Sequence, residues 1–497
     1  MKKLKFPTAQ TILLLIAAAV TLLTWLVPAG KYSSLTYNKE NEMFVVNSSD
    51  GTTSLQSTQA VLDSLQIKIP VEKFTSGAIW KPIAIPGTYK ILEPNPQGLT
   101  DFFKSPIKGI IEAADIIFLV LFIGGLVGVM NATGAFDAGI SWLAKVLKGR
   151  EFLLIIFVTT LIAAGGTTFG LAEETIAFYP ILIPIFLAAG YDAMVPLASI
   201  YIGSSVGTMC STTNPFSSII ASDAAGITWT TGLTGRFTML LLCTIICIVY
   251  IIRYAQKVKK NPEKSLIFSQ KEQIEKLFGS SADSTIRLTG RLRLILIVFI
   301  LCFIVMVVGV SKLGWWFVEM TTVFFVGTII IGFLSKSSEG NFVETFVKGA
   351  GDLLGVALII GIARGVSVLM NDGLISDTML YHASAVTEGM NKGVFINSML
   401  YIYSGLSFFI PSSSGMAVLT MPIMSPLADT VGIGREAIVN AYQYGQGLFA
   451  FINPTGLILA SLAIVKVGYN KWLKFVLPLI LILLLVTMVF LTASVYL

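Results

Sequence analysis

Charge is scarce in this chain. Lysine, arginine, aspartate and glutamate make up 12% of the 497 residues and hydrophobic residues 55%; a soluble domain carries roughly 25% charged residues, so an ordinary soluble domain is excluded. Histidine occurs once, at His382, and cysteine four times, at Cys210, Cys243, Cys247 and Cys302. The cysteines lie in apolar surroundings without metal-ligand spacing and read as small packing residues. With one histidine, no zinc motif and no nucleophile–base spacing, an intramembrane hydrolase is a remote reading. The net charge of +6 resides in lysines and arginines of short loops beside apolar spans, where it reports orientation. It gives no support to nucleic-acid binding.

What the chain does have is a copy of itself. Residues 108–137 align without a gap on residues 348–377, an offset of 240, with Lys108-Gly109 on Lys348-Gly349, Gly125 on Gly365, Met130-Asn131 on Met370-Asn371 and Asp137 on Asp377. Near the same offset Pro180 and Pro184 face Pro422 and Pro426, and Asn214-Pro215 with Ala221-Ser222 faces Asn453-Pro454 with Ala460-Ser461. Two apolar halves, each with a polar, proline-interrupted segment at the matching place, are the signature of a secondary transporter with its site between the repeats.

Nine stretches are long enough to cross roughly 30 Å of hydrocarbon: residues 7–29, 106–132, 193–224, 233–254, 290–312, 315–335, 349–371, 437–465 and 472–496. The first follows Lys2, Lys3 and Lys5 and reads as an uncleaved signal anchor. Two further regions, hairpins 151–189 and 394–428, have arms of about 15 residues reaching only around 22 Å; each reads as re-entrant, turning at Gly165–Gly170 and at Pro411–Gly415. Walking the chain from a cytoplasmic N-terminus puts Lys145, Lys148 and Arg150, then Arg253 to Arg293, Lys336, Lys466, Lys471 and Lys474 on the cytoplasmic side. Five crossings separate the repeated segments, so the repeats are inverted.

The expected fold is therefore an all-α polytopic membrane protein with two re-entrant hairpins and two broken helices, and about nine full spans. Its parts are residues 1–29, the first transmembrane helix; 30–105, an external β-rich insertion; 106–255, repeat 1 with broken helix 193–224; 256–289, a cytoplasmic linker; and 290–497, repeat 2 with broken helix 437–465. Residues 134–148 and 374–387 read as amphipathic interfacial helices.

Unwound backbone at mid-depth survives only where it lines a cavity or binds something. The polar run Gly203–Ser218 and its counterpart Gly445–Gly456 offer carbonyl, Ser, Thr and Asn oxygens to a cation such as Na⁺ near Asn214 and Asn453. The half-helices beyond the breaks suit a substrate carboxylate. Intramembrane charges mark function: Glu173 and Glu174 at the first tip suit an amine or a coupling proton, and Arg364 suits a carboxylate or a glutamate. The candidate binding residues are Thr167, Thr168, Glu173, Glu174, Thr212, Thr213, Asn214, Arg364, Ser412, Ser413, Ser414, Gly415, Asn453 and Thr455. No catalytic residue and no cofactor is expected, only a coupling cation, Na⁺ or H⁺. A channel is the other remote reading; long polar breaks beside short hairpins favour an occluding carrier.

The N-terminal KFPTAQTILLLIAAAVTLLTWLVPAGKY, IPGTYKILEPNPQGLTDFFKSPIKG, AEETIAFYPILIPIFLAAGYD, GSSVGTMCSTTNPFSS and FFIPSSSGMAVLTMPIMSPLAD resemble the YfcC family, grouped with anaerobic four-carbon dicarboxylate carriers and arginine/ornithine antiporter-like proteins. The resemblance implies a homodimer, in the ion transporter superfamily, that moves a small-molecule substrate across the bilayer by an elevator motion. The anion symporters of that superfamily carry Ser-Asn-Thr at both tips. Here Ser412-Ser413-Ser414 stands at one tip and Thr167-Thr168 with Glu173-Glu174 at the other, a departure that points to a zwitterionic or cationic amino acid, with a C4-dicarboxylate as the alternative.

Overall fold

The computed structural model describes residues 7–146, 150–278, 288–313, 315–387 and 389–496. The orientation signals at Lys2, Lys3, Lys5 and Lys148, and linker residues 279–287, lie outside the described residues. Helix α1 (Ala9–Leu26) starts where Thr8 Oγ1 accepts the Thr11 N–H at 3.3 Å. An inserted segment follows. Strands β1 (Gly30–Lys31), β2 (Ser34–Asn38), β3 (Met43–Ser48), β4 (Gly51–Gln56), β5 (Ile83–Ala84) and β6 (Lys90–Ile91) form a four-stranded antiparallel sheet ordered β4-β3-β2-β5 and a β1-β6 pair, with short helices α2 (Gln59–Ser64) and α3 (Val71–Thr75) between β4 and β5. Tyr37 lies directly across from Phe44, and Leu35, Phe44, Leu62, Phe74 and Ile83 are wholly buried. The insertion thus carries apolar packing of its own.

Helices α4 (Leu99–Glu112), α5 (Ala114–Thr133), α6 (Ala135–Val146), α7 (Phe152–Phe169), α8 (Tyr179–Ala188), α9 (Met194–Met209), α10 (Ile220–Ala224) and α11 (Leu233–Lys260) complete the first half. After α12 (Lys271–Phe278), α13 (Gly290–Leu313) and α14 (Phe317–Ser335), the second half repeats the order: α15 (Glu339–Asp352), α16 (Leu354–Asp372), α17 (Ser376–Ala385), α18 (Lys392–Phe409), α19 (Ser413–Val431), α20 (Arg435–Ala450), α21 (Ile458–Val465) and α22 (Tyr469–Tyr496).

Eight of the described helices are long and apolar enough to cross a membrane: α1, α5, α7, α11, α13, α14, α16 and α22. Seven coincide with expected spans. The other two expected spans, 193–224 and 437–465, are interrupted, so neither forms one long helix. The eighth, α7, was expected to be a short arm ending before Gly165; it instead runs 18 residues, through both Gly165-Gly166 and Thr167-Thr168, and stops at Gly170, whose φ of +80° ends the helix. The glycines do not break the helix because they serve close packing: a Cβ on Gly166 would meet the Ser204 carbonyl at 2.9 Å, and one on Gly207 would press into the Ala163 carbonyl.

Residues 106–132 and 349–371, read as single spans, also differ. Each is divided, at Ala113 and at Leu353, between an amphipathic helix and an apolar one. The two pairs cross reciprocally at glycine: Gly109 of α4 sits against Gly361 and Gly365 of α16, and Gly349 of α15 against Gly124 and Gly128 of α5. Along α13, Leu294, Ile297, Ile300, Leu301, Ile304, Val305 and Val308 form an exposed apolar row, the face that the bilayer covers.

Candidate functional site

Two asparagines organise the two breaks in the same way. After α9 the chain unwinds from Cys210 to Asn214, then re-enters a helical turn at Pro215. Asn214 Oδ1 accepts the Phe216 N–H at 2.8 Å and its Nδ2 donates to the Gly166 carbonyl of α7 at 3.3 Å. After α20 the chain unwinds from Phe451 to Leu457. Asn453 Oδ1 accepts from the Thr455 N–H at 3.0 Å and the Thr455 hydroxyl at 2.7 Å, while its Nδ2 donates to the Ser407 carbonyl of α18 at 2.9 Å. Each asparagine thus caps the backbone that proline has freed and ties its break to the neighbouring hairpin. The unwound stretches are shorter than the polar runs that announce them: Gly203 to Met209 and Gly445 to Ala450 remain helical.

The hairpin tips abut these breaks. Beyond Gly170, residues 173–178 form a 3₁₀ turn, and Glu174 Oε2 accepts the Ala172 N–H at 3.1 Å. Ser204 Oγ donates to the Leu171 carbonyl at 2.5 Å, fixing the first tip to α9. At the second tip Ser412 caps α19 by accepting the Gly415 N–H at 3.2 Å.

Between tips and breaks lies a cavity of about 380 Å³. Of the candidates, Glu173, Glu174, Asn214, Arg364, Ser412, Ser413, Ser414, Asn453 and Thr455 line it. Thr167, Thr168, Thr212, Thr213 and Gly415 are not in its wall. Thr167 is a clasp: its hydroxyl accepts the Thr212 N–H at 2.9 Å and lies 3.1 Å from the Thr212 hydroxyl, and its carbonyl accepts the Thr213 N–H at 3.1 Å. Thr168 is exposed and bonds back to the Ala164 carbonyl at 2.6 Å. Their backbone is helical, so these threonines do not form the open loop that the glycines suggest.

Glu173 and Arg364 lie within range of each other's charge, yet among the described residues no ion pair within 4.0 Å joins Arg364 to either glutamate. Gln443 Oε1 and Ser367 Oγ are buried without hydrogen-bond partners, and both residues belong to the wall. Unsatisfied buried acceptors of this kind are costly unless a ligand or water meets them.

The sequence reading missed several wall residues. Trp315, Trp316 and Phe216 form an aromatic side, with Phe216 and Trp316 at 4.9 Å between ring centres. Gln443 and Gln446 come from the intact part of α20. The most consequential is Lys81, from the inserted segment, whose Nζ donates to Ser414 Oγ at 2.8 Å. The one hint was a cation flanked by Trp80 and Pro82 in a segment otherwise hard to read.

The model of the C4-dicarboxylate anaerobic carrier family matches residues 6–496. An uncharacterized protein of Haemophilus influenzae is 45% identical over 499 residues, covering 99% of this chain and 98% of its own. The Escherichia coli protein named "Putative basic amino acid antiporter YfcC" is 30% identical, covering 94% and 92%. Among solved structures, the YdaH transporter of Alcanivorax borkumensis aligns over 98% of both chains at 14% identity and a TM-score of 0.39. MtrF of Neisseria gonorrhoeae aligns over 99% of this chain and 96% of its own at 16% identity and a TM-score of 0.39. Family coverage from end to end and the YfcC relative lead to one conclusion: this multi-pass membrane protein belongs to the C4-dicarboxylate anaerobic carrier family of transporters.

Proposed function

We propose that the chain is a secondary active transporter of a small carboxylate-bearing metabolite, an amino acid with a free amine, in a bacterial cytoplasmic membrane with its N-terminus inside. The observation that carries this reading is that acidic Glu173 and Glu174 and basic Arg364 face one cavity without pairing. A zwitterion presents both charges, and in a low dielectric each end gains by meeting its opposite. The name of the E. coli relative, "Putative basic amino acid antiporter YfcC", supports the same class, because a second amine would suit a second glutamate.

Coupling is to Na⁺, to H⁺ or to exchange. Break carbonyls and the Asn214, Asn453 and Thr455 oxygens are the donors offered to a cation, while Glu173 is the group offered to a proton. In this reading the repeats are inverted, the hairpins are re-entrant, and hairpins with broken helices move as an elevator against the glycine-crossed helices, in a homodimer.

A C4-dicarboxylate is the second reading. It is favoured by the presence of two cations, Lys81 and Arg364, in the same wall. Counterflow decides between them: liposomes holding the purified protein, preloaded with unlabelled L-arginine, L-ornithine, L-aspartate, L-serine or succinate, are offered the labelled compound. Saturable counterflow of an amino acid is expected and also excludes a channel. Counterflow of succinate alone would overturn the amino-acid reading.

A further inference from the structure

Trp80 and Lys81 belong to the inserted segment, yet Lys81 lines the cavity. Lys81 is half-buried, its ammonium lies 4.7 Å from the centre of the Trp80 ring, and it donates to Ser414 Oγ. Trp80 in turn meets Trp316 edge-on at 6.2 Å, and Trp316 meets Phe216 of the first break. Six other lysines, Lys68, Lys73, Lys90, Lys108, Lys259 and Lys271, pair with carboxylates within 4.0 Å. Lys81 does not: among the described residues its neighbours are a hydroxyl and an indole ring. Burial, and after it the charge of Arg364, draws its amine below the ordinary lysine range.

Two like charges facing one cavity, neither held by an acid, repel unless an anion sits between them. The segment bearing Lys81 is held in place independently of any ligand. Tyr32 N–H donates to Asp377 at 2.9 Å, the Tyr89 hydroxyl lies 2.9 Å from that of Thr378, and Tyr89 stacks on Tyr381 at 4.3 Å. Lys73 meets buried Asp223 at 2.9 Å beyond the first break. We infer that Lys81 is a specificity-determining residue which, with Arg364, holds a carboxylate of the transported substrate, so that the inserted segment completes the binding site. This inference rests on the transporter reading above and goes beyond it by adding a binding group from outside both repeats.

The test compares wild type, Lys81→Met and Lys81→Arg in liposomes and in detergent. Labelled L-arginine, L-ornithine, L-aspartate, L-serine and succinate serve as uptake probes and, unlabelled, as thermal-shift ligands. A charge-assisted contact to a carboxylate predicts that Lys81→Met raises KM about tenfold for every carboxylate the wild type moves. Maximal rate and unliganded melting temperature should stay within the wild-type range, and Lys81→Arg should restore KM. A purely structural role would lower the unliganded melting temperature and spare KM. Unchanged KM and ligand stabilisation in Lys81→Met, beside an active wild type, overturns this inference alone. A wild type that neither moves nor is stabilised by any of the five overturns it together with the proposed function.

Discussion

Glu173 and Glu174 are neighbours with different commitments. Glu174 is buried and accepts the Ala172 N–H, so part of its work is to hold the tip, whereas Glu173 lies nearer the charge of Arg364. Replacement by glutamine keeps size and hydrogen bonding but removes the charge. Glu173→Gln is expected to weaken amino-acid binding about tenfold or more, the loss of one charge-assisted contact. If Glu173 carries the coupling proton instead, the variant should lose pH-driven accumulation while one-for-one exchange continues. Uptake and exchange assays on both variants check this. Wild-type affinity, pH dependence and accumulation in Glu173→Gln and Glu174→Gln alike would reduce the pair to a packing feature of the tip.

Among the elements, the glycine crossings define how α4 and α15 seat on α16 and α5. A side chain at Gly109 or Gly349 would collide with the facing backbone, whereas a Cβ at Gly355 meets nothing within 4 Å. Gly109→Leu and Gly349→Leu should each destabilise the protein by about 1–3 kcal/mol or more through overpacking, while Gly355→Ala should be tolerated; melting curves in detergent report the difference. The repeat that contains Gly109 and Gly349 was legible because Lys-Gly and Met-Asn recur at one offset. The divisions at Ala113 and Leu353 were not, because no proline marks either point and glycines such as Gly351 and Gly355 are ordinary in membrane helices. Gly165-Gly166 misled in the other direction: two glycines before two threonines look like a turn, and only the partner helix shows that they serve a close crossing. Asn214 and Asn453 could be singled out from Pro215 and Pro454, but not their ties to Gly166 and Ser407, which depend on which helix lies alongside. The contact that Lys81 makes was beyond sequence reasoning, since its partner Ser414 is 333 residues away.

For the whole molecule, the proposed inversion of the two halves is open to direct test. Cysteines introduced at Arg150 and Lys392, which precede the first and second hairpins, should react with a membrane-impermeant thiol reagent from opposite sides of the membrane; labelling of both from one side would refute the inverted arrangement. The central claim is that one cavity, with Glu173 and Glu174 against Arg364, binds a molecule bearing an amine and a carboxylate. Thermal shift of the purified protein tests it most directly, because a ligand that binds only the folded state raises stability by mass action. With amino acids and dicarboxylates compared in the presence and absence of Na⁺, the account predicts that at least one amino acid raises the melting temperature dose-dependently, an effect Glu173→Gln diminishes. Stabilisation by dicarboxylates alone would contradict it.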